Sequence, residues 1–199
     1  GKYVSVSELN DYTLNAFVST EDKRFYRHHG LDLKRIGSAL IKNIFSGSYK
    51  EGASTITQQL VKNTFLTNKK TLKRKVNEMF LTLKVEQEYS QKEILEMYLN
   101  TIYFGANAYG IETASKTYFG KSASELTLAE SAGLAGMLKA PNNYSPVYNP
   151  DKYISRRNLV LNLMRENGFI DDNLCEAAKE EKIDLSAVDT RAATEKSYL

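Results

Sequence analysis

The chain has 199 residues, 42% of them hydrophobic and 26% charged, with a formal net charge of +3 at pH 7. Ordinary apolar content and low net charge exclude intrinsic disorder, and the single cysteine, Cys175, excludes an intramolecular disulfide framework. No run approaches the roughly 18 apolar residues of a membrane span, and Gly1-Lys2-Tyr3-Val4 has no signal-peptide character. The expectation is one soluble domain, either whole or cut from something longer.

In chain order, Leu14, Ala16, Phe17 and Val18 form an apolar helix ending at Glu21 and Asp22. Ile36, Leu40, Ile41, Ile44 and Phe45, with Lys34, Arg35, Lys42 and Lys50, make a short basic amphipathic segment. That pattern fits a core helix or a membrane interface. Leu72, Val76, Met79, Phe80 and Leu83 form one stripe at helical period; Ile94, Leu95, Tyr98 and Leu99 form another. Capping boxes mark starts at Ser5/Glu8, Thr55/Gln58, Ser90/Glu93, Ser122/Glu125 and Thr127/Glu130. Asp151 caps a further helix through Tyr153, Leu159, Leu161 and Met164, ended by Gly168. All three prolines, Pro141, Pro146 and Pro150, fall in one stretch, which leaves residues 1–140 clear of the commonest helix breaker. Little alternates at period two, so the fold class is mainly α. The loop at 140–151 is expected to separate a main body from a C-terminal helical extension, and residues 184–199 to be a linker or tail.

Four segments hold polar groups in arrangements that chemistry can use. The first runs from Glu21 to Gly30, where two acids are followed by basic residues, two aromatics and both histidines, His28 and His29. A carboxylate desolvated by aromatic neighbours suits general acid/base work; a solvated helix end with local ion pairs is the plainer reading. The second, from Glu51 to Gln59, joins a tight turn at Gly52 to hydroxyls and free amides at a helix start, a ready anion site or simply a capped helix. The third carries Lys62, Lys69, Lys70, Lys73, Arg74 and Lys75 with no acid between Val61 and Asn77. Such a concentration suits a polyanion or pyrophosphate, although a charge run is ordinarily a solvated face. Glu78 lies four residues from Arg74 and three from Lys75, within reach on a helix, as a surface ion pair or as an acid beside a phosphate. In the fourth, Glu96 and Asn100 share a face of a helix otherwise committed to burial, which favours a structural, bracing role.

The order of these segments closely resembles the peptidoglycan glycosyltransferase family (glycosyltransferase family fifty-one), found in class A penicillin-binding proteins and monofunctional glycosyltransferases. The likeness rests on Glu-Asp-x-x-Phe-x-x-His-x-Gly, Gly-x-Ser-Thr-x-Thr-Gln-Gln, Arg-Lys-x-x-Glu and Lys-x-x-x-Glu-x-Tyr-x-Asn, in that order. Tyr118-Phe119-Gly120-Lys121 and residues 128–141 also look like that family. The resemblance implies a lysozyme-like helical fold with a head lobe and a small membrane-contacting jaw, matched here by residues 31–50, all within a domain at 1–183. It implies polymerisation of lipid II into β-1,4-linked glycan with release of undecaprenyl pyrophosphate. Carried over by motif, Glu21 matches the general base and Glu78 a second acid near the departing pyrophosphate. Ser54, Gln58, Lys62, Arg74 and Lys75 match the donor site, Asn100 a position supporting it, and Asp22, His28, Gly52, Thr55 and Gln59 belong to the same motifs as substrate-binding candidates. Many members have an arginine where this chain has Lys69-Lys70; lysine brings charge without a bidentate fork, and Lys70 is carried as a phosphate ligand on that basis.

The resemblance also implies lipid II and the nascent glycan as partners, a membrane surface met through the jaw, and cell-wall synthesis and division proteins, but no nucleic acid. It places the domain at the extracytoplasmic face of the bacterial plasma membrane. Whether Glu78 binds a divalent cation such as Mg or Mn, orients Arg74, or does both is left open, and no cofactor is otherwise required. No Ser-x-x-Lys acylation motif occurs, so no transpeptidase is present in this chain. Two rivals remain: a lysozyme-like hydrolase or lytic transglycosylase, which would need a raised-pKa acid and no pyrophosphate clamp, and a non-enzymatic module binding nucleic acid or anionic membrane through residues 62–75.

Overall fold

The computed structural model describes residues 2–21, 55–65 and 72–188. Among them the fold is mainly helical, as expected. Eight α-helices are seen: α1 (Asp11–Glu21), α2 (Ile56–Phe65), α3 (Leu72–Glu88), α4 (Gln91–Thr101), α5 (Ile111–Phe119), α6 (Leu128–Met137), α7 (Pro150–Glu166) and α8 (Asp172–Glu180). Short 3-10 turns occupy Val6–Glu8 and Ala123–Glu125, and an isolated antiparallel bridge joins Tyr103 to Tyr109. The chain divides into two compact units, Gly1–Thr20 with Leu99–Leu199, and Glu21–Tyr98.

Three of the five capping boxes form. Thr55 N–H donates to Gln58 Oε1 at 2.8 Å and Gln58 N–H returns to Thr55 Oγ1 at 3.2 Å. Ser90/Glu93 and Thr127/Glu130 close the same way. The other two do not. Ser5 Oγ accepts instead from Ser7 N–H and heads only a 3-10 turn. At Ser122 the hydroxyl donates instead to the buried carboxylate of Glu112 at 3.2 Å, which also takes the Ala123 N–H at 2.8 Å, and the Glu125 N–H goes to the Ser122 carbonyl at 2.9 Å. The α7 start also differs: Pro150 takes the first helical position, where its missing N–H costs nothing, and Asp151 falls in the first turn instead of capping it.

The unit of Gly1–Thr20 and Leu99–Leu199 is built around α6 and α7. α6 is buried from Ala129 to Met137, and α7 lies against it. Their approach is set by two missing side chains. A Cβ on Gly133 would fall 1.8 Å from the Tyr153 hydroxyl, and one on Gly136 would crowd Arg156, whose Nε donates to the Gly136 carbonyl at 3.2 Å. The loop at 140–151 is therefore a turn inside one packed unit and not a division between body and extension. Arg157, buried on α7, ties down the end of α8 through bonds to the carbonyls of Lys179 and Glu181 at 2.7 and 2.8 Å. The ring of Phe17 meets Phe104 edge-on at 6.0 Å, and Ala16, Phe17 and Val18 are buried as the apolar spacing requires. Of the expected tail, residues 184–188 are described, with Asp184 capping Ser186, and 189–199 lie outside. In the Glu21–Tyr98 unit, α2 packs on α3, and Ile94, Leu95 and Tyr98 are buried, with Leu99 continuing the stripe.

Gly133→Ala is expected to lower unfolding free energy by about 1–3 kcal/mol through overpacking against Tyr153. Denaturant melts of the two chains check it, and an unchanged midpoint would contradict so close a seam.

Candidate active site

The site candidates that lie in the Glu21–Tyr98 unit come from the end of α1, the start of α2 and the inner face of α3. Glu21 is the last residue of α1 and is half-buried. Its carboxylate Oε2 accepts a hydrogen bond from Gln59 Nε2 at 3.3 Å, and Gln59 Oε1 accepts one from the buried Tyr98 hydroxyl at 3.2 Å. Gln58, next in sequence to Gln59, is already spent on the Thr55 capping box. The two glutamines thus divide their work, one holding the helix start and the other reaching across to Glu21.

On α3 the structure reverses a simple expectation. The stripe of Leu72, Val76, Met79, Phe80 and Leu83 is helical, as its period requires, but it faces outward, with residues 40–69% exposed. The polar face is the buried one: Arg74 is 8% exposed, Glu78 1% and Thr82 fully buried. These three sit at successive four-residue steps, so they share one side of the helix. Lys75 Nζ lies 3.6 Å from Glu78 Oε1, the three-residue ion pair of the two that spacing allowed. Neither carboxylate oxygen of Glu78 accepts a hydrogen bond among the described residues, nor does the Thr82 hydroxyl make one. A buried charge held by one ion pair longer than a hydrogen bond is costly unless something else meets it. Farther along, Thr57 Oγ1 on α2 donates to Glu86 on α3 at 2.5 Å, fixing the two helices in register.

Lys62 is half-buried in the last turn of α2. Asn100 belongs to the other unit, where it brackets Val4: its Oδ1 accepts from the Val4 N–H and its Nδ2 donates to the Val4 carbonyl, both at 2.8 Å. That is the bracing role its burial-committed helix suggested. Asp22, His28, Gly52, Ser54, Lys70 and the jaw segment 31–50 lie outside the described residues. Among those described, no three His, Cys, Asp or Glu residues group to hold a metal ion. Glu78 offers one carboxylate, too few protein ligands by itself for a hard cation.

Sequence reasoning missed Tyr98, Thr82 and Glu86. Tyr98 was legible as a core position and as the tyrosine of Lys-x-x-x-Glu-x-Tyr-x-Asn, but it was given no role of its own, because apolar periodicity registers its ring and not its hydroxyl. Thr82 continues the Arg74–Glu78 spacing by one more turn, a signal that was available.

The comparisons with known proteins agree on kinship. A sequence model of the family described as Transglycosylase matches residues 1–165. The chain is 50% identical over 197 residues to penicillin-binding protein 1A/1B of Bacillus subtilis (strain 168), covering 98% of this chain and 21% of that protein. To penicillin-binding protein 1A of Escherichia coli (strain K12) it is 44% identical over 183 residues, covering 92% and 22% respectively. Among solved structures it resembles penicillin-binding protein 1A from Haemophilus influenzae with a TM-score of 0.55 and 27% identity, covering 92% of this chain and 18% of that one. The chain thus spans about a fifth of the length of the relatives it matches. A family match over most of its residues, together with half-identity to such a relative, means that the chain belongs to the transglycosylase family.

Proposed function

We propose that this chain is a peptidoglycan glycosyltransferase module that polymerises lipid II into β-1,4-linked glycan and releases undecaprenyl pyrophosphate. Kinship with the transglycosylase family and with class A penicillin-binding proteins supports the reaction class. The observation that carries the mechanism is the inverted α3: a charged face of Arg74 and Glu78 turned inward while the apolar stripe faces out. Folding alone favours the opposite roll, so the inward charge is best explained by an ionic substrate.

In this reading Glu21 takes the proton from the acceptor sugar's 4-hydroxyl. That oxygen attacks the anomeric carbon of the α-linked donor with inversion, and the bond to the lipid pyrophosphate breaks with its electron pair leaving on the phosphate oxygen. Lys62, Arg74 and Lys75 supply fixed positive charge for the departing diphosphate, with Ser54 and Lys70 as further donor-site ligands. Preorganised electrostatics of this kind is usually the largest catalytic contribution. No protein acid then has to protonate the leaving group, in contrast to a two-carboxylate glycosidase. Glu78 holds the adjacent cations in place; were a Mg or Mn ion held by its carboxylate, the ion would supply further charge neutralisation. Asp22, His28, Gly52, Thr55, Gln58 and Gln59 are the further substrate-site residues of this reading, and Asn100 a supporting one.

The exposed stripe of α3 supports contact with a membrane. Five apolar side chains flanked by Lys73, Lys75 and Lys84 make an amphipathic surface suited to the interface of an anionic bilayer. A lipid-linked donor requires such proximity, in line with a lysozyme-like arrangement whose jaw at 31–50 meets the lipid, at the extracytoplasmic face of the plasma membrane.

Glu21→Gln is expected to keep its circular dichroism and melting temperature while lipid II polymerisation falls by about 10²–10⁴-fold; retained turnover removes Glu21 as the base. Glu78→Gln replaces a buried charge that has no hydrogen bond among the described residues, so its melting temperature should hold or rise while polymerisation falls. A lower melting temperature with normal turnover would instead make Glu78 a structural residue. Leu72→Ser with Phe80→Ser should weaken sedimentation with phosphatidylglycerol vesicles at unchanged melting temperature, and undiminished binding would remove the stripe from the membrane contact.

A further inference from the structure

Tyr98 lies on α4 beside Ile94 and Leu95, and its ring is buried with theirs. For packing alone phenylalanine would serve. The hydroxyl donates a hydrogen bond to Gln59 Oε1 at 3.2 Å, and that bond has a consequence one residue further on. The end of a glutamine side chain is nearly symmetric in shape but not in chemistry: one arm is an acceptor, the other a double donor, and half a turn about the last torsion exchanges them. With the carbonyl arm held by Tyr98, the NH2 arm is the one presented to Glu21, which it reaches at Oε2 over 3.3 Å. Reversed, the amide would set a carbonyl oxygen against a carboxylate oxygen.

We propose that Tyr98 is a positioning residue which, by selecting the orientation of the Gln59 amide, holds the Glu21 carboxylate in the pose from which it receives the acceptor's proton. This rests on the reading of Glu21 as the base. The anchorage of Gln59 is good at both ends. Its neighbour Gln58 is closed into the capping box with Thr55, so the first turn of α2 is fixed where Gln59 begins. Thr57, on the same turn, is tied to Glu86 of α3. The remaining freedom is the amide torsion, and the Tyr98 hydroxyl removes it. A misplaced base costs rate far more than it costs substrate affinity.

The test is a set of variants of this chain assayed for lipid II polymerisation. Tyr98→Phe removes one oxygen and keeps the ring; kcat should fall about tenfold while KM stays within about twofold. Gln59→Ala should also lower kcat, and adding Tyr98→Phe to it should lower kcat no further, because the path is already cut. Gln59→Glu keeps an acceptor for Tyr98 but replaces the donor with a like charge, so its kcat should fall at least as far as that of Gln59→Ala. A wild-type kcat in Tyr98→Phe, a loss confined to KM, or losses that multiply in the double variant would overturn the inference. If Tyr98→Phe does not fold, wild-type turnover in Gln59→Glu overturns it and reduced turnover upholds it. Glu21→Gln assayed alongside separates the two levels. An active Glu21→Gln defeats the base assignment, whereas an inactive one beside a normal Tyr98→Phe defeats only the role of Tyr98.

Discussion

Removing an ionised side chain from water costs several kcal/mol even after the protein relaxes around it, and α3 accepts that cost twice. Arg74 and Glu78 face inward while Leu72, Val76, Met79, Phe80 and Leu83 face out. In a protein selected only for stability, half a turn of roll about the helix axis would bury the five apolar groups and return the charges to solvent. The roll seen here makes sense when the inner side receives a highly charged molecule and the outer side meets something less polar than water. On the function proposed above, one helix serves two environments, neither of which is bulk water. Departures from the ordinary inside–outside rule concentrate at functional sites, and this one falls on two of the candidate site residues.

The remaining structure supplies rigidity where the chemistry requires it. The Thr55/Gln58 box makes the first turn of α2 a fixed platform, and the Thr57–Glu86 bond sets that platform against α3. Glu21 ends its helix and owes its carboxylate direction to a side-chain contact as well as to the backbone. In the second unit the same economy appears at Asn100, whose single amide satisfies both backbone groups of Val4. Neutral hydrogen bonds of this type contribute only about 1 kcal/mol each, but each removes a torsional freedom that would otherwise blur the site.

The helices and the motif residues were legible in the sequence because both are local patterns. Thr55/Gln58, Ser90/Glu93 and Thr127/Glu130 form the boxes their spacing announces. Ser122/Glu125 does not, because the Ser122 hydroxyl is engaged by Glu112, ten residues earlier, and the Glu125 N–H goes to the Ser122 carbonyl, and no local rule sees a partner at that distance. The roll of α3 was hidden for a different reason. Periodicity reports that one face is apolar but not which medium that face meets, and lipid and protein core read alike. Proline clustering at 141–150 was legible as a turn, yet whether the flanking segments pack together depends on α6 and α7 meeting, which is a matter of contacts. Tyr98 stood in a motif without a role of its own, because its ring satisfied the core pattern so well that its oxygen looked incidental.

The seam between α6 and α7 carries an evolutionary consequence. Gly133 and Gly136 leave gaps that Tyr153 and Arg156 fill, so bulk on one helix is matched by its lack on the other. A methyl group arriving at 133 has nowhere to go until the aromatic opposite has shrunk, and a smaller residue at 153 leaves a void until something grows back. Drift in this seam must therefore proceed by compensating exchanges, and the sizes at 133 and 153 should vary in opposite directions across descendants of this sequence.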